Sequence, residues 1–284
     1  MKPVLFQVQH TGETAFKVRK ERGHMYPHYH AHDEMQCTWI EKGHGLLIAG
    51  DAIEHFNTGD VFLLNSFVPH VFRTENRKCS VTHIFFSFKT MGTDFWKLNE
   101  LATIVQLLSD EKAVIKMQYD KLKKAVSLIS QMKNEVNFTN LILFVYFLSL
   151  FADKKDLHVI SGHTATALTN PAENRRMSSV IEFTLNNFSN NITLKQAASV
   201  AGMSIPTFCR YFKKSTDKPF FSFLNEVRIS KARRYLHDSN DKVESIAYSC
   251  GFSNLSYFNR VFKQHCGMSP KEYRKNISAG VYNA

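Results

Sequence analysis

A short pattern that occurs twice in the last third of the chain constrains the fold more than any other feature of the sequence. The first copy, AASVAGMSIPTFCRYFKK, begins at Ala197, and the second, IAYSCGFSNLSYFNRVFKQ, begins at Ile246. Equivalent positions carry the same residue in the pairs Ala198 and Ala247, Gly202 and Gly251, Ser204 and Ser253, Phe208 and Phe258, Arg210 and Arg260, Phe212 and Phe262, and Lys213 and Lys263. Such an internal repeat indicates two copies of one supersecondary unit.

Each copy carries the signals of a helix, a tight turn and a second helix. Thr193 and Gln196 have capping-box spacing before the first copy, and Asp241 and Glu244 have it before the second. The glycine that follows allows positive φ at the turn, and we expect the next serine to cap the second helix. This pattern predicts two helix-turn-helix units, and we call the second helix of each unit its recognition helix.

Apolar spacing predicts one buried stripe on each recognition helix. The stripes are Phe208, Tyr211 and Phe212 in the first and Phe258, Val261 and Phe262 in the second. Between the copies, the pattern from Pro219 to Leu236 predicts one amphipathic helix, roughly 27 Å long at 1.5 Å per residue. A last helix is predicted to begin at Ser269 and Pro270. Two recognition helices joined by such a rod suit successive major grooves, which lie about 34 Å apart.

The segments ITLKQAASVAGMSIPTFCRYFKK and GFSNLSYFNRVFKQHCGMSPKEYRK resemble the two helix-turn-helix units of the AraC/XylS family of bacterial transcription regulators. The resemblance implies double-stranded promoter DNA, RNA polymerase and a second copy of the chain as partners, with activation as the usual outcome. It also implies DNA contacts from Pro206, Thr207, Cys209, Arg210 and Lys213 on the first recognition helix, and from Leu255, Ser256, Tyr257, Asn259, Arg260 and Lys263 on the second.

The charge distribution supports a polyanionic partner. The chain has a formal net charge of +11, and from Arg175 to Lys275 it holds 17 Lys and Arg against 7 Asp and Glu. A basic excess concentrated on a doubled recognition motif is typical of nucleic-acid binding. Arg210 and Arg260 are expected either to pair with guanine or to hold phosphates, whereas the two repeated lysines are expected to hold phosphates.

Cysteine usage and apolar patterning indicate a cytoplasmic protein. The five cysteines are odd in number and show no C-x-x-C pair. The first residues, MKPVLFQVQHTGE, have no apolar signal-peptide core. The strongest apolar run, from Leu141 to Ala152, is too short for a helix that spans a bilayer, so no membrane partner is expected.

Short β patterns broken by Gly, Asp and Asn fill residues 4–88 and predict an antiparallel barrel or jelly roll. The stretch from Pro27 to Arg73 resembles the cupin-like sensor domain of many AraC/XylS regulators, most strongly from Gly59 to His70. The expected fold is therefore a multi-domain α+β chain. It has an N-terminal cupin-like β-barrel of jelly-roll type with trailing helices, and a C-terminal all-α domain with two helix-turn-helix motifs.

The resemblance implies that the barrel binds a small-molecule effector, such as a sugar. The expected ligand-binding residues are His28, His30, Glu34, Trp39, His70, Phe72, His83 and Phe85. Core packing is the alternative for the three aromatic side chains. His28, His30, Glu34 and His70 also approximate the metal ligands of enzymatic cupins. The spacing from Gly23 is one residue short, and Asn65 and Phe67 replace the usual proline and glycine, so no metal or other cofactor is expected.

From Leu98 the pattern becomes helical and resembles the dimer-forming segment of the family. The expected division is a barrel at 1–97, a helical dimerisation segment at 98–153, a linker at 154–174 and the DNA-binding domain at 175–284. We expect a ligand-gated transcription regulator without enzymatic activity. The alternatives are a metal-binding cupin enzyme fused to a DNA-binding domain, and an activator that needs no effector.

Overall fold

The structure, a computed structural model, describes residues 14–23, 25–26, 28–50, 52–74, 78–109, 114–152, 157–161 and 171–278. The chain divides into two compact units whose boundary lies between Asn174 and Arg175. We call the first the sheet unit and the second the helical unit. Within the described ranges, no helix has the length and apolar character needed to cross a membrane.

The sheet unit is built from antiparallel strands. They are β1 (Phe16–Gly23), β2 (Met35–Lys42), β3 (Gly45–Ala49), β4 (Ala52–Phe56), β5 (Val61–Leu64), β6 (His70–Thr74), β7 (Cys79–Phe86), β8 (Val114–Met117) and β9 (Leu157–Ser161). The larger sheet has the order β1-β7-β2-β5-β8-β9, and the smaller has the order β4-β3-β6. Because successive side chains point to opposite faces of a strand, the larger sheet presents two separate apolar faces.

The inner face of the larger sheet packs on the smaller sheet. Their shared apolar layer includes Ile40, Phe62 and Val81 from the larger sheet and Leu47, Phe56 and Phe72 from the smaller. In the described part of the chain no strand belongs to both sheets, and an isolated bridge between His30 and His70 joins one corner. The expected α+β fold is confirmed: an N-terminal unit of two antiparallel sheets, which do not close into one continuous barrel in the described residues, and a C-terminal helical unit.

Helices cover the outer face of the larger sheet. Two 3-10 turns (Phe95–Lys97 and Asn99–Leu101) lead into α1 (Ala102–Leu108), which is followed by α2 (Tyr119–Gln131) and α3 (Phe138–Ser149). Their buried side chains join those of the strands in one cluster, which includes Cys37, Ile84, Ile104, Ile129 and Phe144. The helical periodicity of this segment therefore reflects packing on the sheet, and its expected role in dimerisation stays a prediction.

Two strands lie where the sequence pattern predicts none. Val114–Met117 falls inside the expected helical segment 98–153 and pairs with β5. Leu157–Ser161 falls inside the expected linker 154–174 and pairs with β8 as an edge strand. Both runs are short and apolar, and they are strands because they pair with segments distant in the sequence, which local periodicity does not reveal.

The helical unit has the predicted order of elements. Its helices are α4 (Pro171–Asn187), α5 (Leu194–Val200), α6 (Ile205–Thr216), α7 (Phe220–Asp238), α8 (Val243–Ser249), α9 (Leu255–Cys266) and α10 (Pro270–Ser278). The long connecting helix is α7, and its Phe220 and Phe223 rings pack against Phe212 of α6 at centroid distances of 5.3 and 5.5 Å. The predicted double helix-turn-helix is thus present, with α6 and α9 as recognition helices.

Candidate nucleic-acid interface and ligand pocket

The leading helices of the two helix-turn-helix units, α5 and α8, are capped differently. At α5 the predicted capping box is present, with the Thr193 side chain and the Gln196 side chain satisfying backbone N–H groups reciprocally. At α8 the expected box is wrong. The cap position is Lys242, and the Asp241 carboxylate instead accepts a hydrogen bond from the Ser239 hydroxyl at 3.1 Å. The carboxylate is thus engaged in the preceding turn and does not cap the helix.

The caps of the recognition helices also differ. Ser204 is at the cap of α6, but its hydroxyl donates to the Thr207 hydroxyl at 2.9 Å instead of accepting from a backbone N–H. At α9 the cap is Asn254, one residue after the expected Ser253, and its side-chain oxygen accepts from the Tyr257 N–H at 2.9 Å. Asparagine caps helices about as well as serine does, so the sequence offered two suitable residues for this position.

Buried phenylalanines fix the rotation of each recognition helix. Phe208 and Phe212 are fully buried on α6, as are Phe258 and Phe262 on α9. Val261 completes the second stripe as predicted, whereas Tyr211 is only half-buried. Because these side chains point into the core, the opposite faces of α6 and α9 are directed away from it.

The residues predicted to contact DNA lie on those outward faces. Pro206, Thr207, Cys209, Arg210 and Lys213 are all exposed on α6. Ser256, Tyr257, Asn259, Arg260 and Lys263 are exposed on α9, and the remaining residue, Leu255, is half-buried against the core. The two exposed sets are chemically unequal, since the α9 set offers more hydrogen-bonding groups.

On α9 the polar side chains are already positioned by their neighbours. The Tyr257 hydroxyl accepts a hydrogen bond from the Asn225 amide nitrogen of α7 at 2.8 Å. The guanidinium carbon of Arg260 lies 5.1 Å from the centre of the Tyr257 ring, a cation–π distance. A side chain that is held before binding loses less conformational entropy on binding.

The sheet unit contains a narrow pocket between its two sheets. The pocket is lined by Glu21, Met25, Tyr26, His30, Gln36, His70, Phe72, His83 and Phe85. It leaves about 20 Å³ for the centre of a water-sized sphere, which is room for one water molecule or one ion. In this conformation, an organic ligand would need side chains to move.

A polar network occupies the pocket floor. The Gln36 side-chain oxygen lies 2.9 Å from His32 Nε2 and 3.1 Å from His70 Nε2. The Gln36 side-chain nitrogen lies 3.0 Å from His83 Nδ1. Burial lowers the pKa of His30 and of His83 to about 3, and it lowers the pKa values of His32 and His70 as well. The four imidazoles are therefore neutral at pH 7.

The structure brings together some of the ligand-binding residues predicted from the sequence. His30, His70, Phe72, His83 and Phe85 line the pocket. His28 is exposed, and Glu34 lies outside the lining with its carboxylate 3.5 Å from His32 Nδ1. Trp39 as a pocket wall is wrong, because the alternation of β2 directs it to the outer, helix-covered face.

Sequence reasoning missed two residues of the network, His32 and Gln36. The H-x-H pattern occurs twice, at 28–30 and at 30–32, and the prediction uses only the first. The bridge between His30 and His70 selects the second pattern, because it brings this segment to the first residue of β6, where the rings of His32 and His70 are 5.2 Å apart. Phe67 has φ 59°, so the position where enzymatic cupins usually carry glycine keeps a left-handed backbone here.

Comparison with known proteins agrees with this arrangement. Residues 197–276 match a family described as a helix-turn-helix domain. The chain is 24% identical over 272 residues to the HTH-type transcriptional activator RhaR of Mannheimia succiniciproducens, covering 90% of this chain and 91% of that protein. It is 31% identical over 106 residues to the HTH-type transcriptional activator RhaS of Escherichia fergusonii, covering 37% of this chain and 38% of that protein.

Among solved structures, the DNA-binding domain of AdpA in complex with a target DNA aligns with a TM-score of 0.36 and 28% identity, over 37% of this chain and 94% of that one. ToxT from Vibrio cholerae O395 aligns with a TM-score of 0.37 and 17% identity, over 92% of this chain and 97% of that one.

Two helix-turn-helix units with outward basic faces define a DNA-binding transcription regulator. Residues 197–276 form an AraC-type helix-turn-helix domain, and the chain is similar over 90% of its length to the transcriptional activator RhaR.

Proposed function

We propose that the chain is a transcriptional activator that binds promoter DNA through α6 and α9 and responds to a small molecule bound in the sheet unit. The observation that carries this proposal is the pair of outward recognition faces, each fixed by two buried phenylalanines. The relatives RhaR and RhaS carry the name transcriptional activator, which supports activation as the outcome. RNA polymerase is then the protein partner at the promoter.

The length of α7 suits binding to two consecutive major grooves. The helix has 19 residues, so at 1.5 Å per residue it is about 28 Å long, close to the roughly 34 Å between successive grooves. Its N-terminal end packs on α6, and its C-terminal half shares a core cluster with α8 and α9. Both recognition helices therefore bind one face of the duplex in this proposal.

A competition experiment with the full chain tests the DNA-binding part. Duplexes selected from a random pool should bind more tightly than unselected duplexes at moderate salt, as measured by fluorescence anisotropy. Arg260→Ala should reduce this preference, whereas Lys123→Ala, which removes an exposed cation from the sheet unit, should leave it intact. A wild-type chain that enriches no sequence would contradict the proposal.

The pocket supports an effector with hydroxyl or carbonyl groups. His70, His83 and Gln36 supply hydrogen-bonding groups, while Phe72 and Phe85 supply apolar walls. Such a mixture of polar groups and ring faces suits a sugar or a related metabolite. Because the pocket is narrow, we propose that the effector selects a more open state, and that this state changes the presentation of the helical unit.

A thermal-shift series with monosaccharides and related polyols tests the effector. A binding compound should raise the melting temperature of the full chain, and His83→Leu should abolish that increase. Trp39→Phe is the matched control, since Trp39 lies on the opposite face of the same sheet. An increase that survives His83→Leu and is lost in Trp39→Phe would place the ligand elsewhere.

We also propose a homodimer formed through α3 and the residues before it. Val136 and Phe138 are each 75% exposed, and Ile142 is 51% exposed. An apolar patch of this kind on a helix is typical of a subunit interface. Phe138→Glu should convert the dimer to a monomer in light scattering, and a wild-type chain that is monomeric at micromolar concentration would contradict the proposal.

A further inference from the structure

Three histidines converge at one point in the sheet unit. His30, His32 and His70 each place one ring nitrogen within 4.8 Å of the others. His32 and His70 are buried, and the backbone bridge between His30 and His70 fixes the separation of two of the three residues, with N···O distances of 3.0 and 2.8 Å. The convergence therefore depends on backbone pairing as well as on side-chain rotamers.

Backbone carbonyls set the tautomer of all three rings in the same way. The Nδ1 atom of each ring lies 2.8 Å from a carbonyl oxygen, for His30 with that of His28, for His32 with that of Glu34 and for His70 with that of Val68. A carbonyl oxygen only accepts hydrogen bonds, so each Nδ1 carries the proton of the neutral ring. The lone pairs of the three rings therefore belong to their Nε2 atoms.

This is the arrangement in which proteins hold metal-ligating histidines. The ring nitrogen of such a histidine that does not bind the metal donates its N–H to a carbonyl or carboxylate, which fixes the ring and raises its basicity. One such contact is common in any protein, but here the same contact occurs on all three members of a convergent set. The exposed His28 is close in sequence and does not belong to the set.

Gln36 is placed to supply a fourth donor. Its side-chain oxygen lies 2.9 Å from His32 Nε2 and 3.1 Å from His70 Nε2. Two neutral rings protonated on Nδ1 do not donate through Nε2, so without a cation the amide is better turned to donate its nitrogen. With a cation between the rings, the observed orientation of the amide points its oxygen at the ion.

Size and charge select the class of ion. The pocket lined by His30, His70 and Gln36 has room for one ion. Neutral imidazoles suit zinc, nickel, copper and ferrous iron, whereas calcium and magnesium prefer sets of oxygen ligands. The ligand set also leaves coordination positions for water or for an oxygen of a small molecule.

We propose that His30, His32 and His70, assisted by the Gln36 amide oxygen, bind one divalent first-row transition-metal ion. This metal site lies within the proposed effector site. Only the role of the ion, either as the signal itself or as a contact for an oxygen of the effector, rests on the proposed function. Metal binding itself requires neither DNA nor an organic effector.

A cobalt titration of the chelator-treated full chain, without a histidine tag, tests the site. Co²⁺ should bind with one equivalent per chain and give visible d–d absorption, and Zn²⁺ should displace it. His32→Gln should weaken binding about tenfold or more, since even an altered partner of a ligand lowers metal affinity by 10- to 100-fold. His28→Gln is the matched control and should bind as the wild type does.

A second variant tests the site even if His32→Gln does not fold. Gln36→Glu keeps the shape of the side chain and adds a charged oxygen, so Zn²⁺ should raise its melting temperature more than that of the wild type. Equal shifts in the two proteins, or equal cobalt affinity of His32→Gln and His28→Gln, would overturn the proposal. Anisotropy on the same samples separates this result from DNA binding, which is measured independently.

Discussion

The two helix-turn-helix units share a sequence pattern and a turn conformation, but their turns lie in different surroundings. Gly202 and Gly251 adopt φ values of 65° and 84°. A side chain added at Gly202 would meet no described atom within 4 Å, whereas one at Gly251 would lie 2.5 Å from the carbonyl oxygen of Phe188 and 2.9 Å from that of Ser189. Gly202 is thus required for its positive φ alone, whereas Gly251 is required for its positive φ and because a side chain there would not fit.

The two helix-turn-helix units also differ in which helices have side-chain caps. In the first unit the leading helix has a complete capping box, while the recognition helix has a serine that does not cap. In the second unit the recognition helix has the side-chain cap, and the leading helix has none among the described residues. Each unit therefore stabilises a different helix end, although the phenylalanine cores match.

Substitution of the two glycines should give the largest difference. Gly251→Ala combines positive φ with a backbone clash and should lower the free energy of unfolding by about 3 kcal/mol. Gly202→Ala has only the conformational strain and should lower it by about 1 kcal/mol. Denaturant unfolding of the full chain followed by circular dichroism measures both. Equal losses would show that the contact with the end of α4 is not tight in solution.

The recognition arginines should differ next. Arg260→Ala should weaken binding to a selected duplex by about 2 kcal/mol, roughly 30-fold, because Tyr257 already orders the guanidinium. Arg210→Ala should weaken it by about 1 kcal/mol, since its helix presents Pro206 and Cys209 beside it and relies more on shape. Anisotropy titrations with one duplex measure both values. A larger effect of Arg210→Ala would reverse the assigned roles of α6 and α9.

Removal of the recognition-helix caps should give a smaller difference. Asn254→Ala deletes the bond to the Tyr257 N–H and should lower the unfolding free energy by about 1 kcal/mol. Ser204→Ala removes a hydroxyl that does not cap and should change it by only about 0.3 kcal/mol. Thermal unfolding of the two variants side by side measures this. Equal destabilisation would mean that Ser204 caps α6 in solution.

The repeated lysines should differ least. Lys213→Ala and Lys263→Ala should each reduce the slope of log affinity against log salt by about 0.9 if each lysine neutralises one phosphate. Affinities at several potassium chloride concentrations give the slopes. A lysine whose removal leaves the slope unchanged does not contact a phosphate.

The helical unit was the part most open to prediction from sequence. Its core repeats at helical spacing, and its turns need positive φ, so Phe258, Phe262 and Gly251 carry their structural roles in the local pattern. The failures were at helix ends. Spacing alone suggested that Asp241 caps α8, but the nearby Ser239 hydroxyl is the partner of its carboxylate. Competition between local hydrogen-bond partners is decided by backbone geometry.

The sheet unit was less predictable because its site depends on pairing between distant strands. The strand at Leu157–Ser161 exists through its pairing with β8, and Trp39 faces the helices because of the alternation of β2. His32 enters the cluster through the bridge of its neighbour His30 to His70. His28, His30 and His32 repeat with a period of two, so the sequence pattern alone does not show which of them enter the cluster.

The position of the two tryptophans provides an intrinsic optical label. The chain has two, Trp39 and Trp96, and both pack into the outer cluster of the sheet unit. Tryptophan fluorescence will therefore report the unfolding of the sheet unit alone, because the helical unit contains no tryptophan. Emission and backbone ellipticity, recorded on one sample, will separate the unfolding of the two halves without cleavage or added fluorophores.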